Sequence, residues 1–118
     1  MSDDRPDTML PLPPVTFHVL LALSEEPRHG YAIMRDVEER TGGGLKLGAG
    51  TLYRSIQRML EQGLILESKR RPSPEEDDER RRYYQITPFG AAVARAETRR
   101  LSQLLRLARA SGFATEKG

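Results

Sequence analysis

The sequence predicts a mainly α-helical domain with one small β-hairpin, a winged helix-turn-helix followed by a long C-terminal helix suited to dimerisation. Apolar residues recur at helical spacing in four stretches punctuated by Gly and Pro. Two β-prone runs, 64–69 and 82–86, flank a polar segment that contains Pro72 and Pro74. The resulting order is helix, helix, short strand, helix, hairpin, helix, which is the winged arrangement. A chain of 118 residues is one domain by length.

The elements follow in order. Residues 1–13 hold Pro6, Pro11 and Pro13 without periodicity and are expected to be a mobile arm. Pro14 suits the first turn of a helix running to about Ser24. Val15, Phe17, Val19, Leu20, Leu21 and Leu23 make it apolar nearly all round, so it belongs in the centre of the core. Glu25-Glu26-Pro27 stops it. A second helix, Gly30 to Thr41, turns Tyr31, Ile33, Met34 and Val37 inward, and Gly42 ends it. Gly42-Gly43-Gly44 reads as a turn, and Leu45-Lys46-Leu47 alternates as a short strand would.

The third helix, Ala49 to Gln62, places Leu52, Ile56, Met59 and Leu60 on one stripe. Gly50, Thr51, Arg54, Gln57, Arg58 and Glu61 fall opposite, with Tyr53 at the border. The second and third helices form the helix-turn-helix, and the third is the recognition helix. Leu64–Lys69 and Arg82–Ile86 pair as the wing; Tyr84 is expected in the core and Tyr83 nearer the surface. The acidic run Glu75 to Glu79 forms a solvated tip. Thr87-Pro88 is an N-cap followed by proline at the first helical position, starting a last helix that reaches about Ala110. Residues 14–87 are thus the DNA-binding domain, 88–111 the dimerisation helix and 112–118 a tail.

Charge narrows the function. Net charge is only +2 over the whole chain. Residues 48–71 nevertheless carry Arg54, Arg58, Lys69, Arg70 and Arg71 against Glu61 and Glu67, a net +3 where the recognition helix and wing root lie. Cysteine is absent, which excludes disulfides and thiol chemistry. The two histidines, His18 and His29, have no spacing that pairs them as metal ligands, and no phosphate loop, nucleophile elbow or dinucleotide fingerprint occurs. No enzyme activity, metal or cofactor is therefore expected. The apolar run Val19–Leu23 falls far short of the ~20 residues needed to cross a bilayer. With 31% charged residues, a mean hydropathy of −0.60 and no evident signal peptide, a cytoplasmic protein without membrane association is expected.

Three motifs then resemble the PadR-type transcriptional regulators. His29-Gly30-Tyr31-Ala32-Ile33 is similar to the family's entry to the second helix. Gly50-Thr51-Leu52-Tyr53, continuing through Leu60, Gly63, Leu64 and Ile65, is similar to its recognition helix and exit. Tyr84-Gln85-Ile86-Thr87-Pro88-Phe89-Gly90 is similar to its junction between wing and last helix. The resemblance covers about residues 15–105. It departs from the pattern at Gly48-Ala49, where Ser-Pro is common, at Arg54, where proline is common, and at the acidic wing tip, which DNA would repel. The chain resembles a short form without a large additional C-terminal domain.

The resemblance implies a regulator of transcription, expected to be a repressor, that binds double-stranded DNA at a pseudo-palindromic operator as a homodimer. Gly50, Thr51, Tyr53, Arg54 and Arg58 are the candidate DNA contacts on the recognition helix, with Lys69, Arg70 and Arg82 at the wing root. Arg81 belongs to the same root, and His29 is expected to cap the second helix. Phe89, Val93, Ala96, Leu101, Leu104, Leu105 and Ala108 are the candidate dimer interface, since the last helix holds more apolar positions than one small domain can cover. Some members of the family bind planar drugs between tryptophans at the dimer centre. This chain has no Trp, which argues against that mode and leaves a small-molecule effector open. The alternative reading is a winged-helix protein-interaction module without DNA binding, favoured by the acidic wing and opposed by Arg54 and Arg58.

Overall fold

Helix α1, Pro14–Ala22, is buried along Val19, Leu20 and Ala22, with Leu23 continuing the apolar surface past its last turn. The structure, a computed structural model, describes residues 5–70 and 81–113. Around α1 pack α2, Gly30–Arg40, α3, Ala49–Glu61, and the first half of α4, Pro88–Ala110. Ile33 and Val37 from α2, Leu52, Ile56 and Met59 from α3, and Val93 from α4 complete the core. A helix that is apolar nearly all round is stable only in such a surrounded position.

The sheet has three strands where a two-stranded hairpin is expected. β1, Arg28–His29, β2, Ile65–Ser68, and β3, Tyr83–Ile86, pair antiparallel in the order β1-β3-β2. Register sets Ile65 opposite Ile86, Ser68 opposite Tyr83, and His29 opposite Tyr83 on the other side. The additional strand explains why Tyr83 is buried rather than near the surface. His29 lies edge-on to its ring at 5.3 Å. Leu45–Leu47 forms no strand, because Thr41 Oγ1 accepts from the Leu45 amide at 3.0 Å and holds that segment in the turn after α2.

The expected mobile arm is docked over its described part. Pro6–Met9 forms a short 3₁₀ turn against α4, and Leu12 is buried in the core. In Pro11-Leu12-Pro13-Pro14 the only amide hydrogen belongs to Leu12. It donates to Glu97 Oε2 at 3.0 Å. Glu97 is itself buried on α4 and is bracketed by Arg100, whose Nε and Nη2 lie 2.5 and 3.1 Å from its oxygens. Hydrogen bonding to Arg100 holds this carboxyl below the usual glutamate range; burial opposes that effect, and the Leu12 amide adds to it.

One junction ties the wing to α4. Gly63, at φ +76°, ends α3 with the Leu64 amide donating to Met59 O at 3.0 Å. Thr87 Oγ1 then donates to Gly63 O at 2.6 Å and accepts from Gly90 N at 2.9 Å, while Thr87 N donates to Leu64 O at 3.1 Å. Gly90 lies so close beneath Leu64 that a Cβ there would sit 2.0 Å from its carbonyl oxygen. The end of α3 and the start of α4 are thereby locked together.

Candidate nucleic-acid interface

Helix α3 divides cleanly into two faces. Leu52, Ile56 and Met59 are buried, whereas Gly50, Thr51, Tyr53, Arg54 and Arg58 are all exposed. Core packing on one side fixes the direction in which the other side points. Gly48 occupies the N-cap without a side-chain hydrogen bond, so the first turn of α3 has no side-chain acceptor for its amides. Arg54 lies back along the helix toward that turn, with Nη2 3.4 Å from Thr51 Oγ1 and Nη1 3.3 Å from where a Gly50 Cβ would stand.

Beside α3 runs a cleft of about 510 Å³ bounded by His29, Gly30 and Tyr31 at the start of α2, Tyr53 on α3, and Arg81, Arg82 and Tyr84 on the wing side. Tyr84 forms its buried floor. Desolvation raises its hydroxyl pKa, the neighbouring Tyr53 adds to the rise and Arg82 counteracts it. His29 caps α2, its Nδ1 accepting from Ala32 N at 3.2 Å. Its other ring nitrogen, Nε2, lies 3.2 Å from Arg81 Nη1. Tyr31, expected to face inward from α2, is instead exposed, with the Arg35 guanidinium over its ring at 5.9 Å.

Lys69, Arg70 and Arg82 are exposed at the open ends of β2 and β3. Arg70 N donates to Ser68 Oγ at 3.0 Å, which fixes the backbone where β2 leaves the sheet. Of the expected contact residues with side chains, Lys69 and Arg70 leave the sheet at the end of β2, where Arg70 lines a separate pocket with Glu25 and Glu26. Thr51, Tyr53, Arg54 and Arg58 instead point outward along α3, and Arg82 lines the cleft with Tyr53. His29, Tyr31 and Arg81 join that surface. Their motif, His29-Gly30-Tyr31, was the available signal for the first two. The acidic run Glu75–Glu79 lies outside the described residues.

The expected interface on α4 splits in two. Val93 and Ala96 are buried in the chain's own core and Phe89 packs against it, so these three are core residues. The first half of α4 is needed to close the domain beneath α1. Leu101, Leu104 and Leu105 are 40%, 48% and 46% exposed, and Ala108 completes an i, i+3, i+4, i+7 stripe with them. Among the described residues no cluster of His, Asp or Glu could hold a metal ion, and no helix is long and apolar enough to cross a membrane.

Comparison with known proteins agrees with this geometry. An uncharacterized 37.1 kDa protein from a Streptomyces fradiae transposon is 35% identical over 86 residues, which are 73% of this chain. The chain spans only 22% of that relative's length. The fold is that of a PadR family transcription regulator from Clostridium difficile, with TM-score 0.68 and 23% identity over 80% of this chain and 94% of that one. It is also that of Bacillus subtilis PadR, solved in complex with operator DNA, with TM-score 0.60 and 15% identity over 71% of this chain and 46% of that one. Residues 19–96 match the family described as "Transcriptional regulator PadR-like family". From the α1 core through the α3 face to the start of α4, the chain belongs to that family of transcriptional regulators, which are not enzymes.

Proposed function

We propose that this chain is a sequence-specific DNA-binding repressor that acts in the cytoplasm as a homodimer on a pseudo-palindromic operator. The observation that carries the reading is the outward face of α3, where Gly50, Thr51, Tyr53, Arg54 and Arg58 stand exposed on a helix whose other face is anchored in the core. The N-terminal half of α3 enters the major groove, and Arg54 reads base edges or contacts phosphate there. The uncapped first turn of α3 offers its amides to a backbone phosphate. Arg81 and Arg82 beside the cleft, with Lys69 and Arg70 where β2 leaves the sheet, add salt-dependent affinity.

Two copies join through Leu101, Leu104, Leu105 and Ala108 of α4, which removes from water a stripe the monomer leaves exposed. The paired α3 helices then enter successive major grooves about one helical turn (~34 Å) apart. A signal acts by changing that separation through the α4 seam. That Bacillus subtilis PadR, which shares the fold, was solved in complex with operator DNA supports DNA as the partner.

A gel-shift with the DNA upstream of the chain's own gene, run at two salt concentrations, tests the reading. Specific retention that outlasts competitor DNA, and weakens with added salt, is the expected result. No retention at low salt would reject DNA binding and favour the protein-interaction module.

A further inference from the structure

Gly30 is a glycine without a backbone reason for being one. It starts α2, and its φ is not among the positive values found at Gly42, Gly43, Gly63 and Gly112. Alanine would suit this helical position better than glycine by up to about 1 kcal/mol. What forbids a side chain is Tyr53, from the other helix of the pair. A Cβ on Gly30 would lie 2.2 Å from Tyr53 Oη, 2.7 Å from Cζ and 3.2 Å from Cε1. The outer half of the ring therefore rests directly on the bare Cα of α2. Tyr53 is otherwise 48% exposed, so this contact decides where its hydroxyl points.

We infer that Gly30 is a positioning residue: it seats the Tyr53 ring across the start of α2 and holds the hydroxyl at the rim of the cleft toward DNA. The inference rests on the DNA-binding reading given above and adds to it a residue that touches no nucleic acid. It also explains why His29-Gly30-Tyr31 and Gly50-Thr51-Leu52-Tyr53 occur together. The glycine of the first motif and the tyrosine of the second are two halves of one contact.

The contact differs in kind from the one at Gly90. There the obstructing atom is the Leu64 carbonyl, part of the backbone, which cannot move without unlocking the wing from α4. At Gly30 the obstruction is the far end of a half-exposed side chain, which can turn to another staggered rotamer in solvent. Gly30→Ala should therefore fold normally with its Tyr53 hydroxyl displaced by several ångströms.

A double-mutant cycle on the full chain tests this. Operator affinity is measured for wild type, Gly30→Ala, Tyr53→Ala and the double variant, with circular dichroism and thermal melting to confirm the fold. Loss of a hydrogen bond to a charged phosphate lowers affinity roughly ten-fold. Each single variant should show about that loss, and Gly30→Ala should cost less than two-fold once Tyr53 is already Ala. Equal losses from Gly30→Ala in both backgrounds would overturn the inference. Nuclear Overhauser contacts between the Gly30 Hα protons and the Tyr53 ring, present in wild type, supply a readout independent of DNA. Their absence from wild type, or a Gly30→Ala variant that still binds operator like wild type, also overturns it. A wild-type chain that shows the contacts yet binds no DNA refutes the DNA-binding reading and with it the role given to the seat.

Discussion

Glu97→Ala should release the N-terminal segment from α4 and destabilise the whole domain. The substitution removes the acceptor of the Leu12 amide, a buried hydrogen bond of 3.0 Å to a charged group. Such bonds contribute about 1.5–3 kcal/mol, and leaving the amide buried without a partner costs a similar amount. The Arg100 side chain is 34% exposed, so water screens its pair with the buried Glu97 in part and that pair is discounted in the total. We therefore expect a loss of about 2–3 kcal/mol in urea denaturation at neutral pH, which lowers Tm by roughly 10 °C. Glu97→Gln keeps a carbonyl for Leu12 and should lose about half as much. The two variants also separate by pH. The Glu97 carboxyl titrates below its ordinary value of 4.5, so its contribution is fully present above that value and lost as pH falls through the lowered pKa. The stability gap between wild type and Glu97→Gln should accordingly narrow below about pH 4.5. Hydrogen exchange gives the site-specific check, since Leu12 supplies the only amide in Pro11–Pro14. A Leu12 amide that already exchanges in wild type as fast as an open chain, or a Glu97→Ala variant as stable as wild type, would refute the clasp.

Leu104→Asp leaves the fold of a single copy intact, as Leu104 is 48% exposed; in sedimentation it should run as monomer and lose operator affinity more than ten-fold, whereas a wild-type monomer at micromolar concentration would reject the α4 seam. Arg54→Ala should weaken operator binding by about 1–3 kcal/mol and relax preference at one base position if Arg54 reads guanine, or weaken all sequences alike if it contacts phosphate. Affinity titrations on a set of singly substituted operators distinguish these. Gly90→Ala, unlike Gly30→Ala, forces a Cβ to 2.0 Å from a backbone oxygen and should destabilise by about 3 kcal/mol or more in chemical denaturation.

The helices were legible because their ends are written in local chemistry. Thr87-Pro88 caps and starts α4, and Gly42 and Gly63 end α2 and α3 at positive φ. The α3 face was legible for the same reason, since Leu52, Ile56 and Met59 define a stripe and thereby its opposite. What escaped rests on contacts distant in sequence. Arg28-His29 has no strand pattern and becomes one only by pairing with Tyr83-Tyr84. Pro6 to Leu12 looks like an untethered arm until Glu97, 85 residues from Leu12, accepts from the Leu12 amide. The apolar residues of α4 share one helical period, so composition alone could not tell Phe89, Val93 and Ala96, which the chain covers itself, from the leucines beyond Arg100. The relation of Gly30 to Tyr53 was likewise invisible, although both motifs were in view.

The lock between Thr87, Gly90 and Leu64 has a mechanical consequence. It clamps α4 at the wing end, and the helix then continues without a break for 23 residues, about 35 Å at 1.5 Å per residue. The second half, unclamped by its own chain, is a lever arm. Because the first half of α4 is packed in the core and clasped at Glu97, the domain and the helix turn as one body about the far end. A tilt of only about 10° at that end sweeps the wing end of α4, with the exit of α3 beside it, through roughly 6 Å over such a length, more than the 3.4 Å between stacked base pairs. In the proposed complex with DNA the junction would thus act as a stiff gear: modest rearrangement at the remote end of α4 is enough to throw the α3 face out of step with a helical groove, with no change inside the domain.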